Sequence, residues 1–352
     1  MCLLWNRHEK LVHQESCLFL EGEASPLRFP AQEILSVKCP ILGVEYREGK
    51  DYLLSQGGAA LVRPPGSGMP VLPRSALILS AGEAKPYPHP EANAVEGGRG
   101  GTFLRFSNQD FFARHQVEVT YRAKEIPLPP PSLLTPGRLP LCRQALARRK
   151  ALSATFIGDS ITEGYNATEF IHQPPFLPPY PGLMAREWGK KGVHFRFQNR
   201  AIGGTEARQA MELKDKWRED QPQLLVIAYG MNDLYAFQPQ AFLENLAQIQ
   251  EDCRKASPHT EYLLVIPMRG NPDWKYTPLL HSILLRDAVR QYADNAPPDT
   301  AAVDVFQLWE FMLHGKRFHD LTGNGVNHPN DFGHRIYAAA LLNFLAPEAF
   351  PL

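Results

Sequence analysis

The sequence has no excess of charge of either sign. Its 37 Lys and Arg residues are balanced by 37 Asp and Glu residues, so the formal net charge is zero. Proteins that attract nucleic acid or an anionic membrane surface electrostatically usually carry a basic surplus. The charge balance therefore gives no support for a nucleic acid or a membrane as a partner.

Cysteine is scarce, and long apolar runs are absent. The five cysteines are scattered and form no Cys-x-x-Cys pair (Cys2, Cys17, Cys39, Cys142 and Cys253). This pattern indicates neither a disulfide framework nor a zinc site, so we expect reduced thiols. The apolar run at the N-terminus is too short for a signal peptide, and no later run approaches the length of a membrane span. We therefore expect a soluble, cytoplasmic protein.

The first part of the chain has the pattern of an all-β domain. At 352 residues the chain is long enough for two domains. Within residues 1–124, short apolar segments alternate with Gly- and Pro-rich turns, and no helical period exceeds two turns. We predict a β-sandwich or jelly-roll domain, which serves either as a structural companion or as a carbohydrate-binding or substrate-gating face. The candidate strands are Leu18–Leu20, Ile34–Val37, Ala60–Val62, Ala76–Leu79, Thr102–Phe106 and Gln116–Tyr121.

A proline-rich segment, residues 125–150, is predicted to link this domain to the rest. Six of the sixteen residues 125–140 are proline, which disfavours both helix and inner strand. Such a composition is typical of a semi-rigid extended connector. We therefore expect the two domains to be held at a defined distance.

Residues 151–352 change to a regular alternation of strands and helices. This alternation predicts an α/β domain with a parallel sheet covered by helices on both faces. Five strands favour the flavodoxin-like order 2-1-3-4-5, which places strands 2, 1 and 3 side by side. The predicted strands are 154–157, 193–198, 224–229, 262–267 and 301–305; the predicted helices are 182–190, 206–218, 240–255, 279–295 and 331–344.

Three loops at the carboxyl ends of these neighbouring strands carry candidate catalytic groups. Ser160 ends the first strand in Gly158-Asp-Ser160, where it is a candidate nucleophile or a helix N-cap. Gly204 follows the second strand and Asn232 the third. With the backbone N–H of Ser160, a glycine N–H and an asparagine amide would form a three-donor oxyanion hole, although each segment alone is also typical of a turn or a cap.

A base is predicted in the polar, Gly-rich segment before the last helix. His328 lies there with few apolar neighbours in sequence, so we identify it as the candidate general base. His314, His319 and His334 lie nearby, but their spacing matches no zinc motif. We therefore expect no metal there.

Together these blocks resemble those of the SGNH hydrolases, also called GDSL-like esterases. The resemblance covers about 200 residues and keeps the blocks in family order: Gly158-Asp-Ser160, Gly204, Gly230-Met-Asn-Asp233 and Asn327-His328-Pro329. It implies that Ser160 is the nucleophile, that His328 is the base and later the acid, and that Gly204 and Asn232 are oxyanion donors. It also implies ester hydrolysis through an acyl-serine intermediate without a cofactor.

One position departs from the family pattern. The family places an aspartate three residues before the catalytic histidine, where it orients the imidazole, but here that residue is Gly325. Two replacements are open: Asp320 could fold back, or a backbone carbonyl near Asn324 could accept the imidazole N–H. We favour the carbonyl.

The two-domain layout is similar to that of some carbohydrate deacetylases with an N-terminal jelly-roll domain. We therefore expect a small-molecule or oligosaccharide ester as substrate, and O-deacetylation of a carbohydrate as the reaction. The alternatives are a short-chain lipase or thioesterase of the same family, and a catalytically inactive carbohydrate-binding protein. The oligomeric state stays open, including a homo-oligomer.

Overall fold

The computed structural model describes residues 3–130 and 137–352. Residues 3–124, here called the N-terminal region, form antiparallel sheets, as predicted. The largest sheet has five strands in the order β1-β2-β11-β4-β5, and two smaller sheets have the orders β3-β7-β6 and β8-β10-β9. The predicted jelly-roll connectivity stays a prediction. The strands are β1 (Trp5–Asn6), β2 (Leu11–Leu18), β3 (Ser25–Pro26), β4 (Ala31–Cys39), β5 (Val44–Tyr46), β6 (Leu53–Leu54), β7 (Ala60–Val62), β8 (Ile78–Leu79), β9 (Ala94–Glu96), β10 (Phe103–Arg105) and β11 (Gln116–Ala123), with one short helix, α1 (Phe111–His115).

The second part of the chain is built on a five-stranded parallel sheet. Its strands are β12 (Leu152–Gly158), β13 (Phe195–Asn199), β14 (Leu224–Ala228), β15 (Glu261–Ile266) and β16 (Thr300–Asp304). They pair in the order β13-β12-β14-β15-β16, which confirms the predicted order 2-1-3-4-5. Every residue of β14, β15 and β16 is buried, as expected for strands covered on both faces.

Helices surround this sheet. They are α2 (Pro140–Ala147), α3 (Ser160–Glu163), α4 (Tyr180–Lys190), α5 (Pro239–Ala256), α6 (Leu279–Asn295), α7 (Val305–Leu313), α8 (Phe318–Leu321) and α9 (Asp331–Leu345). None of the described helices is long and apolar enough to cross a bilayer.

One predicted helix is wrong. The segment 206–218 forms short 3-10 turns at Ala207–Ala210, Lys214–Lys216 and Arg218–Asp220 instead. The buried indole of Trp217 donates to the carbonyl of Ala210 at 3.2 Å, and the N–H of Lys214 bonds to Met211. Because the Ala210 carbonyl would accept from Lys214 in an α-helix, packing of the indole replaces the helical bond.

The N-terminal region packs directly on the second part of the chain, residues 151–352. One continuous apolar core joins buried residues of both, including Val119 of β11 and Phe332 of α9. Hydrogen bonds cross the contact as well, since Asn330 donates to Ser16 and Gln116, each at 3.0 Å. Part of the proline-rich segment, residues 131–136, lies outside the described residues, and α2 occupies its end. The division at residues 1–124, 125–150 and 151–352 stays a prediction.

Candidate active site

Ser160 lies at the carboxyl end of β12, as the first residue of α3. The last residue of β12, Gly158, must be small at this point, because a Cβ there would lie 2.5 Å from the carbonyl oxygen of Ala228. Asp159 caps α3 by accepting from the N–H of Ile161 at 2.9 Å. Burial, followed by the neighbouring Asp233, raises the pKa of Asp159 to about 7. Among the described residues the N–H of Ser160 has no acceptor, so it stays available to a ligand.

His328 reaches Ser160 from a loop that we call the histidine loop, residues 322–330. Its Nε2 lies 2.8 Å from the Oγ of Ser160, and both side chains are 5 % exposed. The side-chain oxygen of Asn324 holds the loop by accepting from the backbone N–H groups of Val326, Asn327 and His328 at 2.9–3.0 Å. The two residues that the sequence analysis identified as nucleophile and base are thus in contact.

The imidazole of His328 is neutral at ordinary pH. Burial, with a smaller contribution from the neighbouring His334, lowers its pKa to about 3. A ring without a proton on Nε2 can accept the Ser160 hydroxyl proton. The pair therefore has the protonation state that a nucleophile and its base require.

The second nitrogen of the imidazole faces a residue that the sequence analysis missed. Nδ1 of His328 lies 3.0 Å from Oδ1 of Asn166, in the loop that follows α3. Both predicted orienters are wrong. Asp320 is buried elsewhere, where it accepts from the N–H of Leu18 and of Arg317, each at 2.8 Å. No backbone carbonyl near Asn324 takes the imidazole N–H, because the Asn166 oxygen occupies that place.

The second and third loops lie beside Ser160 because β13 and β14 flank β12. The amide of Asn232 donates to the carbonyl of Thr205 at 2.9 Å, which uses one of its two hydrogens. Gly204 is exposed with a φ of +78°, and within the described part of the chain its N–H has no acceptor. The neighbouring N–H of Gly203 instead donates to Glu163. In the described part of the chain the N–H groups of Ser160 and Gly204 and one amide hydrogen of Asn232 therefore have no acceptor.

An aromatic side chain flanks the imidazole. The ring of Tyr165 lies 5.1 Å from that of His328 and 4.6 Å from that of Phe170, between centroids. Burial raises the pKa of the Tyr165 hydroxyl, and the nearby Glu163 and Tyr87 add to the shift. The sequence analysis did not identify Tyr165 or Glu163 as part of the site. The one feature of the sequence that could have indicated them is that residues 163–165 follow directly after the Ser160 block.

No group of three His, Cys, Asp or Glu side chains in the described ranges is arranged to hold a metal ion. His319 stacks on Phe112 at 6.0 Å, and His334 lies 3.3 Å from the carbonyl of Tyr165. These histidines therefore have packing and hydrogen-bonding partners of their own.

No protein of curated function matches the chain. Solved structures with a similar fold include Axe2, an acetylxylan esterase from Geobacillus stearothermophilus (20 % identity, 56 % of this chain, 95 % of that chain, TM-score 0.46). They also include LAE5, an α/β hydrolase from the metagenome of Lake Arreo, Spain (17 % identity, 55 % of this chain, 94 % of that chain, TM-score 0.44). A third is CEX, a two-domain esterase active on acetylated mannans (20 % identity, 60 % of this chain, 54 % of that chain, TM-score 0.47). At these identities and scores, the likenesses carry no argument about the substrate.

A family model gives a more specific result. The model described as the GDSL-like lipase/acylhydrolase family matches residues 156–336, just over half of the chain. The matched range contains Ser160, Gly204, Asn232 and His328. The chain therefore belongs to the GDSL-like lipase/acylhydrolase family.

Proposed function

We propose that this protein is a serine esterase that works through an acyl-serine intermediate and removes acetyl groups from a carbohydrate. The observation that carries the first part is the contact of 2.8 Å between the Ser160 hydroxyl and a neutral His328 imidazole. A hydroxyl becomes a strong nucleophile when an adjacent base takes its proton as it attacks.

The reaction follows from the positions of these groups. The Oγ of Ser160 bonds to the ester carbonyl carbon while its proton moves to Nε2 of His328. The carbonyl oxygen takes up the negative charge, for which the N–H groups of Ser160 and Gly204 and the amide of Asn232 are the candidate donors. When the carbon–oxygen bond to the alcohol breaks, His328 returns the proton to the leaving oxygen. Water then repeats the sequence on the acyl-serine and releases the acid.

The carbohydrate part of the proposal rests on the groups beside the imidazole. Tyr165 presents a partly exposed ring next to His328, and the half-buried carboxylate of Glu163 lies beside it. Tyr87, whose side chain is exposed, lies near enough to influence the Tyr165 hydroxyl. A ring face that packs against C–H groups, together with a carboxylate that accepts from hydroxyls, suits a sugar better than an alkyl chain.

The test is acetate release from a panel of acetylated oligosaccharides, compared with aryl esters whose acyl chains lengthen from about two to eight carbons. We expect high kcat/KM for acetyl esters, a decline with chain length, and no activity in Ser160→Ala. Better use of the long chains would favour a lipase. Sugar binding without hydrolysis of any ester would favour an inactive binding protein.

A further inference from the structure

Asn166 joins the imidazole to the N-terminal region. Its side chain is 3 % exposed, and its backbone is left-handed, with a φ of +63°. Its Oδ1 lies 3.0 Å from Nδ1 of His328. Its Nδ2 faces three backbone carbonyls, those of Ser107 at 3.2 Å, Gln109 at 3.4 Å and Gly323 at 3.1 Å.

Those three carbonyls determine the orientation of the Asn166 amide and, through it, which nitrogen of the His328 ring carries the hydrogen. A carbonyl oxygen only accepts hydrogen bonds, so the NH₂ end of the amide must face them and the oxygen must face His328. The amide oxygen also only accepts, so Nδ1 must carry the hydrogen. In a neutral ring Nε2 is then bare, which is the tautomer that can accept the proton of Ser160.

We infer that Asn166 is the positioning residue of His328, and that the N-terminal region fixes the orientation of its amide through the carbonyls of Ser107 and Gln109. The N-terminal region is then part of the hydrolytic machinery rather than an attached module. The kinetic side of this inference rests on the proposed esterase function, whereas the tautomer of the ring does not.

The contact around these carbonyls is tightly packed. A Cβ at Gly325 in the histidine loop would lie 2.5 Å from the ring of Phe112 and 2.9 Å from the carbonyl of Arg105. Val326 of the same loop packs against Val95 and Leu104 of the N-terminal region. The segment that carries the two carbonyls is therefore flanked in sequence by residues that pack against the histidine loop, Leu104 and Arg105 before it and Phe112 after it.

The first test is Asn166→Ala. A wrongly oriented or wrongly protonated catalytic histidine costs up to about 10⁴-fold in kcat, so we expect a loss of about 10²- to 10⁴-fold with little change in KM. In nitrogen NMR of labelled histidine, the His328 ring should change from the Nδ1–H tautomer to a mixture. Its resonances are assigned by their loss in His328→Ala.

Asn330→Ala is the matched control. Asn330 is also a buried asparagine whose amide donates across to the N-terminal region, but it does not touch the imidazole. We expect a lower unfolding temperature in both variants, and a changed His328 tautomer only in Asn166→Ala. An unchanged tautomer and an unchanged kcat in Asn166→Ala would overturn the inference.

The second test is Asn166→Asp. It distinguishes an amide whose orientation is fixed by the three carbonyls from a requirement only for some hydrogen-bond acceptor at Nδ1 of His328. A carboxylate would place an oxygen against three carbonyls without a donor between them, so we expect a lower unfolding temperature and lower activity than in the wild type. An aspartate variant that is as stable as the wild type and more active would refute the role of the carbonyls.

The two proposals fail in different ways. If Ser160→Ala retains esterase activity, the proposed function fails, and the tautomer of His328 still tests the role of Asn166. If Ser160→Ala is inactive while Asn166→Ala has normal kcat and tautomer, only the inference about Asn166 fails.

Discussion

The substitution Gly325→Asp restores the aspartate that resemblance to the family leads one to expect, and we predict that it damages the protein. Gly325 has a φ of +78°, and its Cβ would lie 2.5 Å from the ring of Phe112 and 2.9 Å from the carbonyl of Arg105. Neither of these groups is a hydrogen-bond donor, so a carboxylate at this position would meet an apolar ring and a carbonyl oxygen.

The magnitude can be assembled from three terms. A left-handed backbone costs a non-glycine residue about 1–2 kcal/mol. Overpacking against a buried ring costs about 1–3 kcal/mol. Leaving a polar group buried without a hydrogen bond adds about 1–3 kcal/mol, and a charge adds more unless it becomes protonated. We therefore expect the free energy of unfolding to fall by at least about 3 kcal/mol, a large part of the total of a typical domain.

The assay is urea unfolding followed by fluorescence, with kcat measured on the folded fraction. Gly101→Asp is the control, because Gly101 has nearly the same φ, +76°, but nothing lies within 4 Å of its Cβ. The control isolates the cost of the backbone conformation, and we expect it to be much the smaller of the two. Gly325→Asp with wild-type stability and increased activity would refute the packing argument and show that an aspartate can still orient the ring.

Three further predictions follow from the site. Burial and His334 hold the pKa of His328 at about 3, so its base form persists as the pH falls, and His328 should give kcat/KM no acid limb near 6.5. The other titratable groups near the Ser160–His328 pair are Tyr165, Glu163 and Asp159, whose pKa is raised to about 7, so a limb near 6.5 that persists in folded Asp159→Asn would contradict the buried, neutral base. Asn232→Ala should lower kcat by about 10²- to 10³-fold with a smaller effect on KM; a rise in KM alone would identify a ground-state binding residue. Asp320→Asn should lower the unfolding temperature, because Asp320 accepts from two backbone N–H groups. The same variant should change kcat less than about tenfold, and a loss near 10⁴-fold would instead identify Asp320 as the group that orients His328.

The parallel sheet of the second part of the chain, residues 151–352, could be predicted because its strands and loops are visible in the sequence as local patterns of apolar and polar residues. Buried strands such as β14 are continuous apolar runs, and each is followed by a loop with a short, recognisable block. The carboxyl ends of neighbouring parallel strands meet, so the order 2-1-3-4-5 alone brings the loops of Ser160, Gly204 and Asn232 to one edge.

The orienting group could not be predicted in the same way. Asn166 and His328 are 162 residues apart, and the sequence around Asn166 reads only as a turn after Gly164. The helix predicted at 206–218 failed for a related reason, since the indole of Trp217 takes a carbonyl that the helix would need. In both cases a side-chain contact made by packing overrides what local periodicity indicates.

The absence of an aspartate at position 325 and the presence of Asn166 beside the imidazole have one structural cause, the packing of the N-terminal region. The N-terminal region places the Arg105 carbonyl and the Phe112 ring where a side chain at residue 325 would have to lie. The same region supplies the carbonyls of Ser107 and Gln109, which accept from an amide and would repel a carboxylate. A carboxylate beside the ring would also raise the pKa of His328, whereas a neutral amide leaves it low. The region that excludes the usual orienter therefore selects an asparagine in its place, and the base stays unprotonated over a wider range of acidic pH.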